Sequence, residues 1–263
     1  MKFLRNSIFI AVTFALLMSL LTFSTSCINK KQKDTADSIV ANMVKVDGGT
    51  FMMGTNEYKY DYQQDQTPAH QVTVKTFYIC KYEVTQQEWE TIMGKNPSDY
   101  KDNGPKCPVE SVSWLDCQEF IRRLNELTGK KFRLPTEAEW EFAARGGNKT
   151  HGYIYSGSED PYQVGRIYTQ GEGPQQVGLL NPNELGLYDM SGNINEFCAD
   201  AYAPYSADPQ TNPLQNDNNS VYRVARGGGF CNARRNCTVT ARLQVAKQEC
   251  YNGVGLRLVM DAE

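Results

Sequence analysis

The segment that decides the fold, residues 133–147, reads RLPTEAEWEFAARGG. Thr136 and Glu139 have the spacing of a capping box, in which each side chain accepts a hydrogen bond from the other residue's backbone amide. The pattern predicts a helix that starts after Thr136, carries Trp140 and stops at the Gly-Gly pair. Because the helix dipole favours negative charge in the first turn, we expect Glu137 and Glu139 to be structural rather than catalytic.

Helices and strands are also predicted on both sides of this segment. Thr85 is placed to cap a helix over residues 86–94, and Ser113 begins another helix whose apolar residues recur at helical spacing. Strand-like patterns occur at residues 43–54, 221–224, 237–243 and 254–259. Strands at both ends with helices between them predict an α+β fold with an antiparallel sheet.

The chain is expected to form one loop-rich domain over residues 42–263. Neither a repeat nor a second hydrophobic core is evident in the sequence. Residues 146–221 have the composition of a long loop, and a loop of that length needs turns, ligands or ions to order it.

The composition excludes some classes of function. The 263 residues include 27 basic and 30 acidic ones, and the formal charge of −3 argues against a nucleic-acid partner. The two histidines, His70 and His151, are too few for a site that needs several imidazoles, such as a facial-triad iron centre.

The N-terminal segment has the pattern of an export signal. Lys2 and Arg5 precede an apolar run at residues 8–21, which is short for a membrane span of about 20 residues. The run is followed by Ser24-Thr25-Ser26-Cys27, which resembles a bacterial lipobox. The alternative is a simple secretory signal with a chance cysteine.

On the lipobox interpretation, residues 1–26 are a lipoprotein signal peptide and Cys27 is the lipidation site. Residues 27–41 are then expected to be a flexible, lipid-anchored tether, because they are polar. The protein is expected in the bacterial cell envelope, held to the membrane by lipid, and our interpretation favours the outer membrane.

Seven blocks of the sequence resemble one family, in order and over nearly the whole mature chain. They lie at residues 46–54, 82–85, 108–114, 133–147, 186–197, 226–230 and 255–257. They are similar to the signatures of the formylglycine-generating enzyme, or sulfatase-modifying factor, family. The resemblance implies a loop-rich α+β domain, a variant of the C-type-lectin-like fold, with calcium ordering the loops.

The resemblance also implies a calcium site at Asp189, Gly192, Ile194 and Glu196. Side chains of the first and last residues and carbonyl groups of the middle two would be the ligands, and calcium prefers such hard oxygen donors. The alternative for the same segment is a Gly-Asn turn with Glu196 in a salt bridge.

The oxidases of this family hold copper(I) between two cysteine thiolates, a ligand type that suits this soft ion. Cys237 coincides with the second copper cysteine, but Cys231 lies one residue away from the first expected position, which is Asn232. Gly229 replaces the active-site serine. We take Cys231 and Cys237 as candidate catalytic residues. A Cys231–Cys237 disulfide and two small buried residues are the alternatives.

Seven cysteines follow Cys27, so at least one is unpaired within the chain; spacing alone does not identify the pairs.

Three functions compete. The one favoured here is a lipid-anchored, non-catalytic binding or scaffold module of the cell envelope with a protein or glycan partner. The second is a copper-dependent formylglycine-generating oxidase that matures exported sulfatases. The third is a saccharide- or peptide-binding module, because lectin-like folds present variable loops.

Overall fold

The computed structural model describes residues 30–57, 61–169 and 171–262, without the side chains of residues 61–63. The predicted signal peptide and the predicted lipidation site Cys27 lie outside the described residues. Within the described ranges, no helix is both long enough and apolar enough to cross a bilayer.

Four α-helices are present in the described part of the chain. They are α1 (residues 30–41), α2 (Gln86–Met93), α3 (Trp114–Thr128) and α4 (Glu137–Ala144). The predicted capping box of Thr136 and Glu139 is confirmed at the start of α4. Capping boxes also start α2 and α3, formed by Thr85 with Glu88 and by Ser113 with Asp116.

Helix α1 corrects the prediction of a flexible tether over residues 27–41. Ala36 and Ile39 are only 1% and 2% exposed and belong to the larger apolar core. Gln32 donates a hydrogen bond of 3.2 Å from its Nε2 to the carbonyl oxygen of Thr91 in α2. These three side chains follow one another at intervals of four and three residues, which places them on one face of the helix.

Three sheets make up the β-structure of the described residues. The first has the strand order β1 (Met43–Val46), β4 (Phe77–Cys80), β11 (Val259–Asp261) and β5 (Phe132–Arg133). The second has the order β10 (Val254–Gly255), β6 (Asn195–Ala201), β8 (Tyr222–Arg226) and β9 (Arg242–Ala246). The third joins β2 (Gly49–Met53), β3 (His70–Val74) and β7 (Gln210–Thr211).

The strand pairs are antiparallel except β10 with β6 and β3 with β7, which are parallel. The predicted α+β class with antiparallel sheets is therefore confirmed. Two strand predictions are wrong in detail. The segment predicted at residues 237–243 becomes a strand only from Arg242, and the one at 254–259 is divided between β10 and β11.

Strand β6 was not predicted, although it lies inside the second sheet. Six of its seven residues are buried, so the strand lacks the alternation of buried and exposed positions by which half-buried strands are detected. Its sequence, NEFCADA, also contains three polar residues that are unusual in a buried strand.

Helix α4 belongs to a second apolar core, which was not evident in the sequence, and all eight of its residues are buried. The buried carboxylate of Glu141 forms an ion pair with Arg226 of β8 and a second one of 2.7 Å with Arg145. These cations hold the pKa of Glu141 below its usual value although burial raises it. Glu137 pairs with Arg242 at 2.6 Å and Glu139 pairs with Arg133 at 2.7 Å, so the contacts of both agree with the expectation that they are structural.

The long loop after α4 is ordered in part by buried side-chain amides. The Nδ2 of Asn183 donates to the carbonyl oxygen of Ala143 at 2.8 Å and to the hydroxyl of Ser156 at 3.0 Å. Its Oδ1 accepts from the backbone amides of Leu185 and Leu187. A single buried asparagine thus joins three parts of the chain and satisfies backbone groups that a loop leaves unpaired.

Candidate functional site

The segment from Asp189 to Glu196 leads through a tight turn into β6. Gly192 has a φ of 122°, and a Cβ at this position would lie 2.7 Å from the carbonyl oxygen of Arg166. Asn193 also has a positive φ, at 62°. Glycine is therefore required at position 192 by both the backbone angle and the close approach of a second loop.

Asp189 is buried and has one free carboxylate oxygen. Its Oδ2 accepts a hydrogen bond of 2.7 Å from the backbone amide of Gly178, whereas its Oδ1 has no partner among the described residues. Burial raises the pKa of Asp189 to about 6, although the amide of Gly178 and the nearby Arg257 lower it. A buried, unpaired carboxylate oxygen is the kind of donor that a calcium ion would use.

Glu196 is fully buried and already paired. Arg257 donates to its Oε1 at 2.6 Å through Nη2 and to its Oε2 at 2.9 Å through Nε, and Trp140 Nε1 donates to Oε2 at 2.7 Å. The same guanidinium also donates to the backbone carbonyls of Cys80, Lys81 and Tyr188. Glu196 would have to give up one of these donors before it could bind a metal.

Three of the four predicted calcium ligands thus lie in the turn and the fourth, Glu196, lies in β6, and they do not fit calcium equally. Asp189 fits, whereas the salt bridge of Glu196 corresponds to the alternative considered for this segment. Within residues 30–57, 61–169 and 171–262, no group of three or more His, Cys, Asp or Glu side chains has metal-binding geometry.

A third buried carboxylate, that of Glu83, was missed as a site residue. Its Oε2 accepts from the Nδ2 of Asn193 at 2.6 Å, and its Oε1 accepts from the amide of Ile194 at 3.2 Å. Burial raises the pKa of Glu83 well above its usual range, and Asp189 and Glu196 raise it further. Residue 83 lies in the signature block at residues 82–85, but only the fold brings its carboxyl group to this turn, so the block could not indicate the contact.

The segment that resembles the copper site does not present two equivalent thiols. Cys231 is exposed, whereas Cys237 is fully buried and packs with Tyr155, Val164 and Ile167. The segment is also not extended, because a 3-10 turn occupies Arg234–Asn236 between the two cysteines.

The two cysteines have free thiols, and no disulfide joins any of the seven cysteines in the described ranges. Burial raises the pKa of Cys237 to about 12, and the proximity of Cys231 raises it further. Gly229 has no hydroxyl, and its amide donates to the Oδ1 of Asn232 at 2.8 Å. Because one sulfur is buried in an apolar cluster, the other is exposed and the serine is missing, this donor set does not fit the two-thiolate copper site of the oxidases.

A cavity of about 310 Å³ lies beside this segment, between it and the second sheet. Its walls include the amide side chains Asn195, Asn232 and Asn236, together with Arg235 and the exposed Leu243 of the edge strand β9. The lining combines amide and guanidinium groups with a comparable amount of apolar surface, so the cavity can hold a peptide or another polar chain.

Comparison with known proteins gives a consistent result. The sequence model of the sulfatase-modifying factor enzyme 1-like domain matches residues 29–262. The chain is 30% identical to chaperone protein LppX of Paenibacillus barcinonensis, over 81% of this chain and 86% of the relative. It is 26% identical to inactive C-alpha-formylglycine-generating enzyme 2 of Bos taurus, over 84% and 88% of the two chains.

Among solved structures, the fold is similar to that of Treponema denticola variable protein 1. The TM-score is 0.75 with 26% sequence identity, and the match covers 84% of this chain and 95% of that one. With a family match that spans almost every described residue, the chain belongs to the formylglycine-generating enzyme, or sulfatase-modifying factor, family.

Proposed function

We propose that this protein is a lipid-anchored, non-catalytic member of its family that binds exported proteins in the bacterial cell envelope. The observation that carries the proposal is that the segment from Gly229 to Cys237 departs from the copper site of the oxidases. It lacks the serine, one of its sulfurs is exposed, and the other lies in an apolar cluster.

Two relatives support the proposal in different ways. One is a chaperone by name, which supports a binding role, and another is an inactive form of the formylglycine-generating enzyme by name, which supports the non-catalytic assignment. The cavity beside Asn195 and Leu243 offers amide groups and an apolar side, which suits an unfolded or extended polypeptide.

The lipid anchor rests on the lipobox-like sequence that ends at Cys27. Helix α1 is described from residue 30, so only two residues, 28 and 29, lie between the proposed lipidated cysteine and the described domain. The three chain steps from Cys27 to residue 30 span at most about 11 Å, so the domain would be held close to the bilayer surface rather than at the end of a long tether.

We further propose that calcium has a structural role here, with Asp189 as its main side-chain ligand. Calcium would offset the charge of a buried carboxylate and fix the turn that leads into β6. This role explains how an intact family framework can persist in a protein without oxidase activity.

The oxidase alternative is tested with a sulfatase-type Cys-x-Pro-x-Arg peptide and copper-loaded protein. Mass spectrometry should find the peptide cysteine unchanged. A double variant with Cys231→Asn and Asn232→Cys restores the spacing of the oxidases and serves as the comparison. Aldehyde formation by the wild-type protein that disappears in Cys237→Ser would overturn the non-catalytic assignment.

The binding role is tested by light scattering of reduced, unfolded lysozyme, a secreted protein. The purified protein should suppress aggregation at near-stoichiometric ratio. Leu243→Glu should weaken this suppression, because it places a charge on the apolar side of the cavity. Leu179, which is exposed elsewhere, provides the matched control Leu179→Glu. Equal activity of the two variants would argue against this cavity, and no suppression by the wild type would argue against the function.

A further inference from the structure

A second cavity, of about 420 Å³, opens between helix α1 and the segment that leads from β4 into α2. Residues 226–237, which resemble the copper site, contribute nothing to its lining. Its volume is within the range of about 300–1,000 Å³ that is typical of small-molecule sites. The cavity exists because α1 is folded against the domain and forms one of its walls.

Hydrogen-bonding side chains converge on this cavity from separate parts of the chain. Thr35, Ser38 and Asn42 come from α1 and the residue that follows it, Gln87 comes from α2, and Gln176 comes from the long loop. None of these five side chains is hydrogen-bonded to another described residue. Hydroxyl and amide groups can both donate and accept, so the cavity offers a set of free partners to a polar ligand.

The cavity also has an apolar side. Ile39 and Val84 line it and are almost fully buried, and Val177 and the ring of Tyr82 complete this side. The ring of Tyr82 is held by Tyr188, with 5.2 Å between the ring centroids. A ligand that fits must therefore combine an apolar face with several hydroxyl or amide groups.

The described lining offers an anionic ligand no buried positive charge. The one cationic lining residue, Lys106, is exposed at the rim, and the acids Glu83 and Glu88 have pKa values that burial raises. The Oε2 of Glu88 accepts from the amide and the hydroxyl of Thr85, each at 2.8 Å, which leaves its Oε1 available to accept from a ligand. A carboxylate acceptor favours a ligand that donates hydroxyl protons.

We infer that this cavity binds an uncharged saccharide of one or two pyranose rings. A pyranose has an apolar C–H face that can pack on Tyr82 and the aliphatic side chains, and its hydroxyls can pair with Thr35, Ser38 and Gln176. An entirely apolar ligand would remove these polar groups from water without replacing their hydrogen bonds. This binding site is separate from the proposed protein-binding role and does not depend on it.

The test uses the full-length protein, purified in a detergent that has no sugar head group. Saturation-transfer NMR is recorded with the methyl β-glycosides of glucose, galactose, mannose and N-acetylglucosamine, and with methyl β-glucuronide as the anionic probe. At least one neutral glycoside should bind with a dissociation constant of roughly 0.1–10 mM. The glucuronide should bind more weakly than the matching glucoside.

Two variants and one matched control assign the binding to this cavity. Ser38→Tyr fills the cavity from α1 and should abolish saturation transfer, and Gln176→Ala should weaken binding about tenfold. Ala41→Tyr adds the same side chain at an exposed position of α1 that does not line the cavity, and it should bind as wild type does.

A melting curve identifies any variant that fails to fold. Gln176→Ala tests the site independently of α1, because Gln176 is an exposed residue of the long loop. Absence of saturation transfer from every neutral glycoside would overturn the inference. Equal binding by Ser38→Tyr and Ala41→Tyr would also overturn it. The result is independent of the peptide-oxidation and aggregation assays, so a failure here does not affect the proposed function.

Discussion

Replacing Ile39 by alanine tests whether helix α1 is an integral part of the domain. Ile39 is 2% exposed and packs into the larger apolar core, so the change removes buried carbon atoms without adding a polar group. Truncation of a buried isoleucine to alanine costs about 2–4 kcal/mol, because a cavity remains where the side chain was. For a domain of this size, each kcal/mol lowers the melting temperature by about 2–4 °C, so a decrease of about 5–15 °C is expected.

The assay is thermal unfolding of the purified protein, followed by circular dichroism. Lys33→Ala is the matched control, because Lys33 is exposed on the same helix and its replacement should change stability by about 0.5 kcal/mol or less. If Ile39→Ala melts within about 1 °C of wild type, α1 is not packed on the domain and residues 27–41 are a free tether after all. Because alanine has the highest helix propensity, a similar decrease for Lys33→Ala would show that the loss is not specific to the buried face of α1.

Four further predictions concern the turn that is proposed to bind calcium and the proposed lipid anchor. When excess calcium is added after EDTA treatment, the melting temperature should rise more at about pH 8 than at about pH 5. The raised pKa of Asp189 leaves its carboxyl group protonated, and unable to bind metal, at the lower pH. Equal increases at the two pH values would contradict a calcium site at Asp189. In metal-free protein the pH dependence of stability should have the opposite sign. An acid whose pKa is raised on folding destabilises the fold once it is ionised, so the contribution of Asp189 to stability should fall as pH rises from about 4 to 6. Gly192→Ala should lower stability by about 2–4 kcal/mol. The control Gly186→Ala changes a left-handed position with open space around it and should cost about 1 kcal/mol. Equal losses in a denaturant titration would refute the argument that the loop at Arg166 approaches residue 192 too closely for a Cβ. Cys27→Ser should move the protein to the soluble fraction or leave its precursor uncleaved, and an unchanged membrane fraction with unchanged mature mass would exclude the lipid anchor.

The features that were predictable from the sequence are those set by near neighbours. A capping box joins residues three positions apart, so the start of α4 could be located at Thr136 from the sequence alone. The requirement for glycine at position 192 is also local in part, because its positive φ belongs to a turn. The overall α+β class followed from the order of such local patterns.

The features that were missed depend on distant contacts. Strand β6 is buried on both faces because Phe197 packs into one apolar core and its neighbour Cys198 packs into the other, and its sequence carries polar residues that find partners only in the folded protein. Helix α1 has few apolar residues, and Ala36 and Ile39 become core residues only because α2 and α3 leave space for them. Glu83 reaches the turn at Asn193 across 110 positions of sequence, which no motif spacing could indicate.

The residues that make the family recognisable are largely the ones that hold the fold together. In the last signature block, Arg257 is fully buried and pairs with Glu196, which belongs to another block, and Trp140 of a third block donates to the same carboxylate. Removing one partner of such a buried pair leaves an uncompensated charge and costs about 3–5 kcal/mol, so stability alone is enough to retain all three. Cys231, in contrast, is exposed and can change at little cost in stability. Intact signatures therefore indicate the fold, and the departures between Gly229 and Cys237 are the better guide to what this protein does.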